Sequence, residues 1–231
     1  LCVACAEPLP VFLEKPVEMG LPGDPLNMGP IFPVSGILLE WYRSNFLQKQ
    51  SDAAVINGKN IYAELDCEAA KVPIGCEKLI LLPHMYGERN PTHDPYAKGV
   101  LYGLSINHTS IHIYRAIMES YCYSVRHALT AMEKNNEIVH LDNIFVSGGG
   151  AKSKLWRQMT SDILKCDTYF YQKADETRAG AYLAAMGAGY FDNVDIFYKN
   201  WLGECKYTST NIDDSIKYDK VYKIYENIYE R

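Results

Sequence analysis

Val146 to Ser153 reads Val-Ser-Gly-Gly-Gly-Ala-Lys-Ser, three consecutive glycines between the apolar run Ile144, Phe145, Val146 and a helical pattern opening near Lys152. A strand that runs out into residues without side chains lets backbone N–H groups come close to a ligand. The helix that follows adds unpaired donors and the positive end of its dipole. A phosphate, or the flat face of a nucleoside, suits such a turn. The contiguous glycines are not the spaced G-x-G-x-x-G of a dinucleotide fold. Nor are they a Walker loop, because the Lys-Ser pair follows Ala151 where that loop requires Gly-Lys. On these residues alone, a nucleotide site and a plain tight turn joining strand to helix both remain open.

Other residue types with chemical potential read as architecture. His112 and Glu119 lie seven apart on one helical face with Ala116 between them, which suits packing or a hydrogen bond to a neighbouring loop better than catalysis. Glu88 and Arg89 read as holding their loop together. His93 and Asp94 precede Pro95, and an Asx-type turn is the reading there rather than hydrolytic chemistry. Lys152 and Lys154 read as solvated surface lysines. Cys2-Val-Ala-Cys5 has C-x-x-C spacing, but no second pair or nearby histidine cluster completes a zinc site, so the segment reads as strand. No catalytic residue and no metal ligand is assigned in this chain.

The elements that must position the glycine turn follow from periodicity. Ile138 onward alternates: strand Asn143 to Val146, glycine turn, helix Lys152 to Lys165, strand Thr168 to Tyr171, helix Glu176 to Gly189. Before it, Ser35 caps a helix running from Gly36 to Gln48, and Ile61 to Ala70 forms another that ends ahead of Pro73. Leu79 to Pro83 is a short apolar strand, Met85 to Lys98 an irregular stretch, and Gly99 to Leu104 extended again. Asn107 to Lys134 carries a long helical period through Ile113, Ile117, Tyr121, Val125 and Leu129, and reads as the central helix. Tyr218, Tyr222, Tyr225 and Tyr229 make an aromatic stripe on a last helix, free to pack on this domain, on another domain or on a second subunit. Residues 1 to 34 are rich in proline and glycine, with a strand over Leu1 to Ala6.

With 231 residues, 48% of them hydrophobic and 22% charged, the chain has the makings of one large globular domain. A formal net charge of −5, with scattered lysines and no run of like charges, disfavours nucleic acid as a partner. Apolar runs are too short to span a bilayer, and no secretion signal opens the sequence. Seven cysteines without regular spacing suit reduced thiols and a cytoplasmic location.

Gly99-Val-Leu-Tyr-Gly103-Leu104, seven residues, then His112-Ile-Tyr-Arg115-Ala116-Ile-Met-Glu119 resembles the second signature of the FGGY carbohydrate kinases. The same family carries a G-E-R-x-P loop before the signature, here Gly87 to Pro91, and a glycine-triplet turn after the long helix, here Gly148 to Gly150. The likeness runs from about Ser35 to Phe191, and the G-E-R-x-P form is closer to xylulokinase-type pentulose kinases than to glycerol kinases. It implies an α/β fold of the actin-like ATPase, ribonuclease H-like kind, with residues 1 to 231 forming the C-terminal, ATP-binding domain. The N-terminal domain that binds most of the sugar is then absent from this sequence. The general-base aspartate and a glycine-threonine phosphate loop would precede Leu1. ATP and Mg²⁺ are the implied cofactors, a ketose or polyol the implied substrate, and a homodimer is compatible. Gly149 and Ser153 align with family positions that contact adenosine, Gly150 belongs to the same turn, and Gly36 and Glu40 align with residues lining the adenine pocket. Glycerol kinases often have Gln at the position of Glu40 and Asn at that of Ser153. A noncatalytic nucleotide-binding module of the same fold, or a kinase for another polyol such as glycerol, stays open as an alternative.

Overall fold

Leu38, Leu39 and Tyr42 fall on one face of α1 (Ser35–Phe46) and are buried by the core, which is why this segment is helical. The computed structural model describes residues 2–5, 35–88, 92, 94–134, 143–173, 176–190 and 202–230. The sequence predicts one helix through Gln48. Instead the chain breaks at Leu47 (φ −123°, ψ 27°) and a second helix, α2 (Gln48–Ile56), follows. Leu47 is wholly buried, so the break drops that side chain into the core, and Ser51 donates through both N and Oγ to its carbonyl. α3 (Ile61–Ala69) begins at Asn60, whose side chain accepts from Tyr62 N at 3.0 Å.

β2 (Ile80–Leu82) and β3 (Val100–Tyr102) pair antiparallel as a two-stranded ribbon, β2 fully buried and β3 exposed. α4 (Ser110–Lys134) is the central helix: every residue from Tyr114 to Tyr123 is buried, because other elements close over all its sides. β4 (Asn143–Ser147), α5 (Lys154–Leu164) and β5 (Asp167–Tyr171) form a parallel crossover unit, with Ile144 beside Thr168 in the ladder. β1 (Cys2–Cys5) runs antiparallel to β4, so the strand reading of that cysteine pair holds. α6 (Glu176–Gly187) follows β5. β6 (Cys205–Thr208), absent from the sequence reading, adds antiparallel to β5 and completes a mixed sheet ordered β1-β4-β5-β6.

α7 (Ile212–Tyr229) opens on Asn211, whose side chain accepts from the N–H groups of Asp213 and Asp214. Its tyrosine stripe packs on this domain. Tyr218, Tyr222 and Tyr225 are buried against α4, with Tyr123 and Tyr225 rings 5.6 Å apart and the Arg126 guanidinium 4.1 Å over Tyr222.

Beneath α4 lies a buried charge pair. Arg115 Nε donates to Glu119 Oε1 at 2.8 Å, one helical turn on, while Nη1 donates to the carbonyls of Ala69 and Val72 and Nη2 to Tyr218 Oη. Glu119 in turn accepts from Gly75 N and Tyr123 Oη. One side-chain pair thus ties α3, α4 and α7 to the turn at Gly75. There Gly75, Cys76, Glu77 and Lys78 all have left-handed φ, and a Cβ on Gly103 would stand 2.4 Å from the Lys78 carbonyl oxygen.

Candidate functional site

The apolar residues Ile144 and Val146 anchor β4 in the core, and the strand delivers its end, Ser147, to the glycine turn. Gly148 takes φ 82°, ψ −178°, a conformation open essentially to glycine alone. The other two glycines are not free loop: Gly149 to Lys152 form one 3-10 turn, and α5 starts at Lys154, so the helix opens two residues later than the sequence pattern suggests. Ser153 is the reason. Its Oγ accepts from Trp156 N at 3.0 Å as the N-cap of α5, with its backbone extended at φ −69°, ψ 117°.

Arg157 holds the turn from below. Its Nη1 donates to the carbonyls of Ala151 at 2.5 Å and Lys152 at 3.2 Å, and its guanidinium lies 5.0 Å over the Phe170 ring. Because these carbonyls are drawn inward, the turn is fixed against the sheet, and the first N–H groups of the helical turn have no partner within it. Burial pushes the Arg157 guanidinium below its ordinary range.

Among the described residues nothing requires position 149 to lack a side chain: its φ is not left-handed, and a Cβ built on it would meet none of them within 4 Å. Gly36, at the start of α1, is equally open. Gly180 and Gly187 on the exposed α6 also pass this test, so open space alone does not mark a site. At Gly149 it coincides with a strand-to-helix turn that has donors to offer.

α1 packs against the glycine turn and carries Gly36 and Glu40 four residues apart on one face. The fold therefore sets the helix that carries Gly36 and Glu40 against the turn of Gly149 and Gly150, which Ser153 follows. Glu40 is half-exposed yet tightly held: Arg43 Nε donates to Oε2 at 2.9 Å, Arg43 Nη2 to Oε1, and Tyr62 Oη of α3 to Oε2 at 2.6 Å. The Arg43 and Tyr62 hydrogen bonds lower the Glu40 carboxyl to about 2, so it is ionised throughout the neutral range. One turn further along α3, Asp66 accepts from Tyr114 Oη at 2.9 Å. Burial pushes its carboxyl up, and the Ser153 and Tyr114 hydroxyls pull it back.

Sequence reasoning missed Tyr62 and Arg157. Arg43, three residues after Glu40, carried a helical ion-pair signal; Arg157, four residues after the cap on a buried helix face, carried a weaker one. Lys152 and Lys154 are exposed. Among the described residues no three His, Cys, Asp or Glu side chains converge as a metal cage. A shallow depression on the opposite side of α3, lined by Lys59, Asn60, Ala63, Glu64, Cys67 and Glu68, involves none of these groups.

The model of the C-terminal domain of the FGGY family of carbohydrate kinases matches residues 10–189. This chain belongs to that family. Among its relatives, the xylulose kinase of Bacillus subtilis is 28% identical over 196 residues, covering 84% of this chain and 37% of the relative. The gluconokinase of the same organism is 30% identical over 208 residues, covering 89% of this chain and 39% of the relative. Among solved structures, xylulose kinase from Rhodospirillum rubrum superposes with a TM-score of 0.68 at 25% identity, over 84% of this chain and 37% of that one. The fold is accordingly the actin-like α/β fold of the FGGY kinases, and the chain spans less than two-fifths of the length of these relatives.

The FGGY signature is largely architectural here. Gly103 is glycine because of Lys78, and a Cβ on Gly99 would lie 2.3 Å from Met85 Sδ. Arg115 and Glu119 are the buried pair under α4, and His112 Nδ1 sits 2.9 Å from Thr109 Oγ1 at the opening of that helix. In the preceding loop Glu88 is buried and accepts from Tyr229 and Thr92, and Asp94 Oδ1 accepts from Tyr96 N at 2.8 Å, an Asx-type turn. Arg89, Pro91 and His93 lie outside the described residues.

Proposed function

We propose that this chain is the ATP-binding part of a carbohydrate kinase that transfers the γ-phosphoryl group of ATP to a hydroxyl of a sugar, a pentulose such as xylulose. The observation that carries the reading is Gly149: a bare position at a strand-to-helix turn, with no internal reason for its bareness, in a chain of the FGGY family. The turn would receive the nucleotide along its N–H groups, with Gly36 and Glu40 on the neighbouring helix bordering the base and Ser153 bordering the adenosine. Mg²⁺ bound to the phosphates would supply charge neutralisation. What this chain itself does is bind and orient the donor, held by Arg157 below and α1 beside it. The sugar and the group that takes its proton belong to a domain of the kind that the longer relatives possess. The xylulose preference rests on the xylulose kinases among the relatives and on the Gly87 to Pro91 loop; gluconokinase is as similar in sequence.

The test is calorimetric titration of the chain with Mg²⁺-ATP beside a Gly149→Asp variant. Saturable binding by the parent chain, lost in the variant, is the expected result; equal binding by both removes the nucleotide from the turn. Alone, the chain should phosphorylate no sugar, and Mg²⁺-ATP-dependent turnover of xylulose by the purified chain contradicts the assignment of the acceptor site to another domain.

A further inference from the structure

A guanidinium taken out of water ordinarily comes with a carboxylate, because a buried charge left unanswered is costly. Arg115 follows the rule, with Glu119 at 2.8 Å. Arg157, in the first turn of α5 and only 6% exposed, does not. Among the described residues it meets the Ala151 and Lys152 carbonyls and the face of the Phe170 ring. Its Nε is buried without a partner, and no described carboxylate supports its charge. A positive charge therefore lies behind the glycine turn with only dipoles and a ring to answer it.

From Arg157 a hydrogen-bonded series of peptide groups runs to the mouth of the turn. Arg157 Nη1 donates to the Lys152 carbonyl at 3.2 Å. The N–H of that peptide group, on Ser153, donates to the Gly150 carbonyl at 3.1 Å, and the N–H of the next, on Ala151, donates to the Gly148 carbonyl at 3.2 Å. The N–H of this third group is that of Gly149. Among the described residues it meets no acceptor, and the space beside the Gly149 Cα is open. Peptide groups joined in this way align their dipoles and polarise one another, so a cation bound to the carbonyl at one end makes the N–H at the other a stronger donor.

Building on the nucleotide reading above, we propose that Arg157 is a positioning residue of this site that acts through its charge: from behind the turn it fixes the Ala151 and Lys152 carbonyls and, along the peptide series, tunes the Gly149 N–H toward an anionic ligand over a neutral one. Arg157 itself touches no ligand. Its charge remains unspent in the empty turn because no carboxylate neutralises it, and an anion brought to the other end of the series supplies the missing counter-charge. Lys152 and Lys154 do not substitute for it, since both are exposed and their charges are screened by solvent. A pin without electrostatic purpose would need only donors to the two carbonyls, and a neutral amide could provide those.

The experiment titrates the chain, Arg157→Lys, Arg157→Gln and Arg157→Met with Mg²⁺-ATP and with adenosine, by calorimetry and, for weak binding, by amide shifts in NMR, with thermal unfolding as a check on folding. The two neutral variants are expected to bind Mg²⁺-ATP about tenfold more weakly than the parent while adenosine stays within about threefold, because a lost charge acts on an anion and hardly on a neutral nucleoside. Arg157→Lys should recover most of the ATP affinity, to within about threefold of the parent, since it keeps the charge and can still donate to the carbonyls. Arg157→Gln, whose amide can also donate there, keeps the comparison open should Arg157→Met unfold. Three results overturn the inference and leave the nucleotide site standing: neutral variants that hold ATP as the parent does, equal losses for ATP and adenosine, or a lysine variant no better than the glutamine one. Failure of the parent chain to bind ATP overturns both.

Discussion

Replacing Arg115 by Met keeps an unbranched stem in place while deleting the guanidinium, and so isolates the buried charge. Glu119 would remain, its side chain 1% exposed, with Gly75 N, Tyr123 Oη and the Cys76 thiol as its remaining neutral donors. Two backbone carbonyls, those of Ala69 and Val72, would lose the donor that now reaches them at 2.8 and 2.7 Å. Breaking a buried ion pair by removing one partner costs about 3–5 kcal/mol; the Ala69 carbonyl keeps Val72 N as a donor, while the Val72 carbonyl, losing Arg115, adds about 1–3 kcal/mol unless water enters. These costs overlap, because the same cavity relaxes for all three groups, so about 4–6 kcal/mol is the expected loss. A domain of ordinary stability has about 5–15 kcal/mol to lose, so the variant should unfold at far lower urea, or fail to accumulate folded.

Urea titration followed by circular dichroism and by the fluorescence of the buried Trp156 measures this directly. Lys71→Met is the reference: Lys71 also pairs with a glutamate, but both partners are more than half exposed, and its loss should cost under about 1 kcal/mol. The double variant Arg115→Met, Glu119→Gln keeps the folding comparison meaningful should the single one collapse. Neutralising the stranded carboxylate should recover part of the loss, giving a double variant more stable than Arg115→Met alone. An Arg115→Met chain within about 1 kcal/mol of the parent would falsify the claim that this pair carries the junction of α3, α4 and α7.

Two further outcomes follow from the same structure. Burial holds His84 and His127, both beside Tyr229 of α7, below the ordinary histidine value. The unfolded chain takes up their protons first, near pH 6.5, so stability should be level above about pH 7 and fall as pH drops through about 6.5 toward the folded values. A His84→Gln, His127→Gln chain should show a flatter thermal midpoint between pH 7.5 and 5.5, and an equally steep one would refute the assignment. Glycine substitutions should split in opposite directions. Gly103→Ala meets the Lys78 carbonyl at 2.4 Å in a left-handed conformation and should lose about 2 kcal/mol or more of stability. Gly149→Ala should leave the urea midpoint within about 0.5 kcal/mol while weakening Mg²⁺-ATP binding; matched stability losses in both would deny the turn its special standing.

What was legible in the sequence follows the range of the physical cause. Strand β5 announced itself by alternating burial, β2 and β4 by short apolar runs and the long α4 by its helical spacing of apolar residues, all local signals, and the glycine triplet stood out because a positive-φ Gly148 leaves few alternatives. The break at Leu47 was not legible, since a fully buried leucine fits a continuing helix as well as a kinked one until the core beneath it is known. β6 was hidden for a different reason: Cys-Lys-Tyr-Thr alternates over only four residues, Cys205 and Tyr207 stay exposed, and the strand state is imposed by pairing with β5. At the site, Glu40 and Ser153 were found by likeness to the family, but what holds Glu40 came from Tyr62, 22 residues away. No spacing rule reaches that far.

The two sets of glycines explain why the family was easier to read than its chemistry. Gly103 is demanded from within, by the Lys78 carbonyl and its own left-handed φ, Gly99 lies against the end of the Met85 side chain, and the neighbouring Arg115 and Glu119 complete one buried junction. Any chain that keeps this junction must keep these residues, whatever its substrate, so the signature reports the frame. Gly149 is demanded by nothing in the frame. Selection for packing alone would accept an alanine there, at a gain of several tenths of a kcal/mol from reduced unfolded-state entropy. Gly180 and Gly187 are equally bare, so what singles out Gly149 is its place on the strand-to-helix turn, where the proposed nucleotide would need the room. The same reasoning separates Glu119 from Glu40: the first carboxylate is enclosed by its donors, and the second is held by three donors yet left with one open acceptor facing solvent.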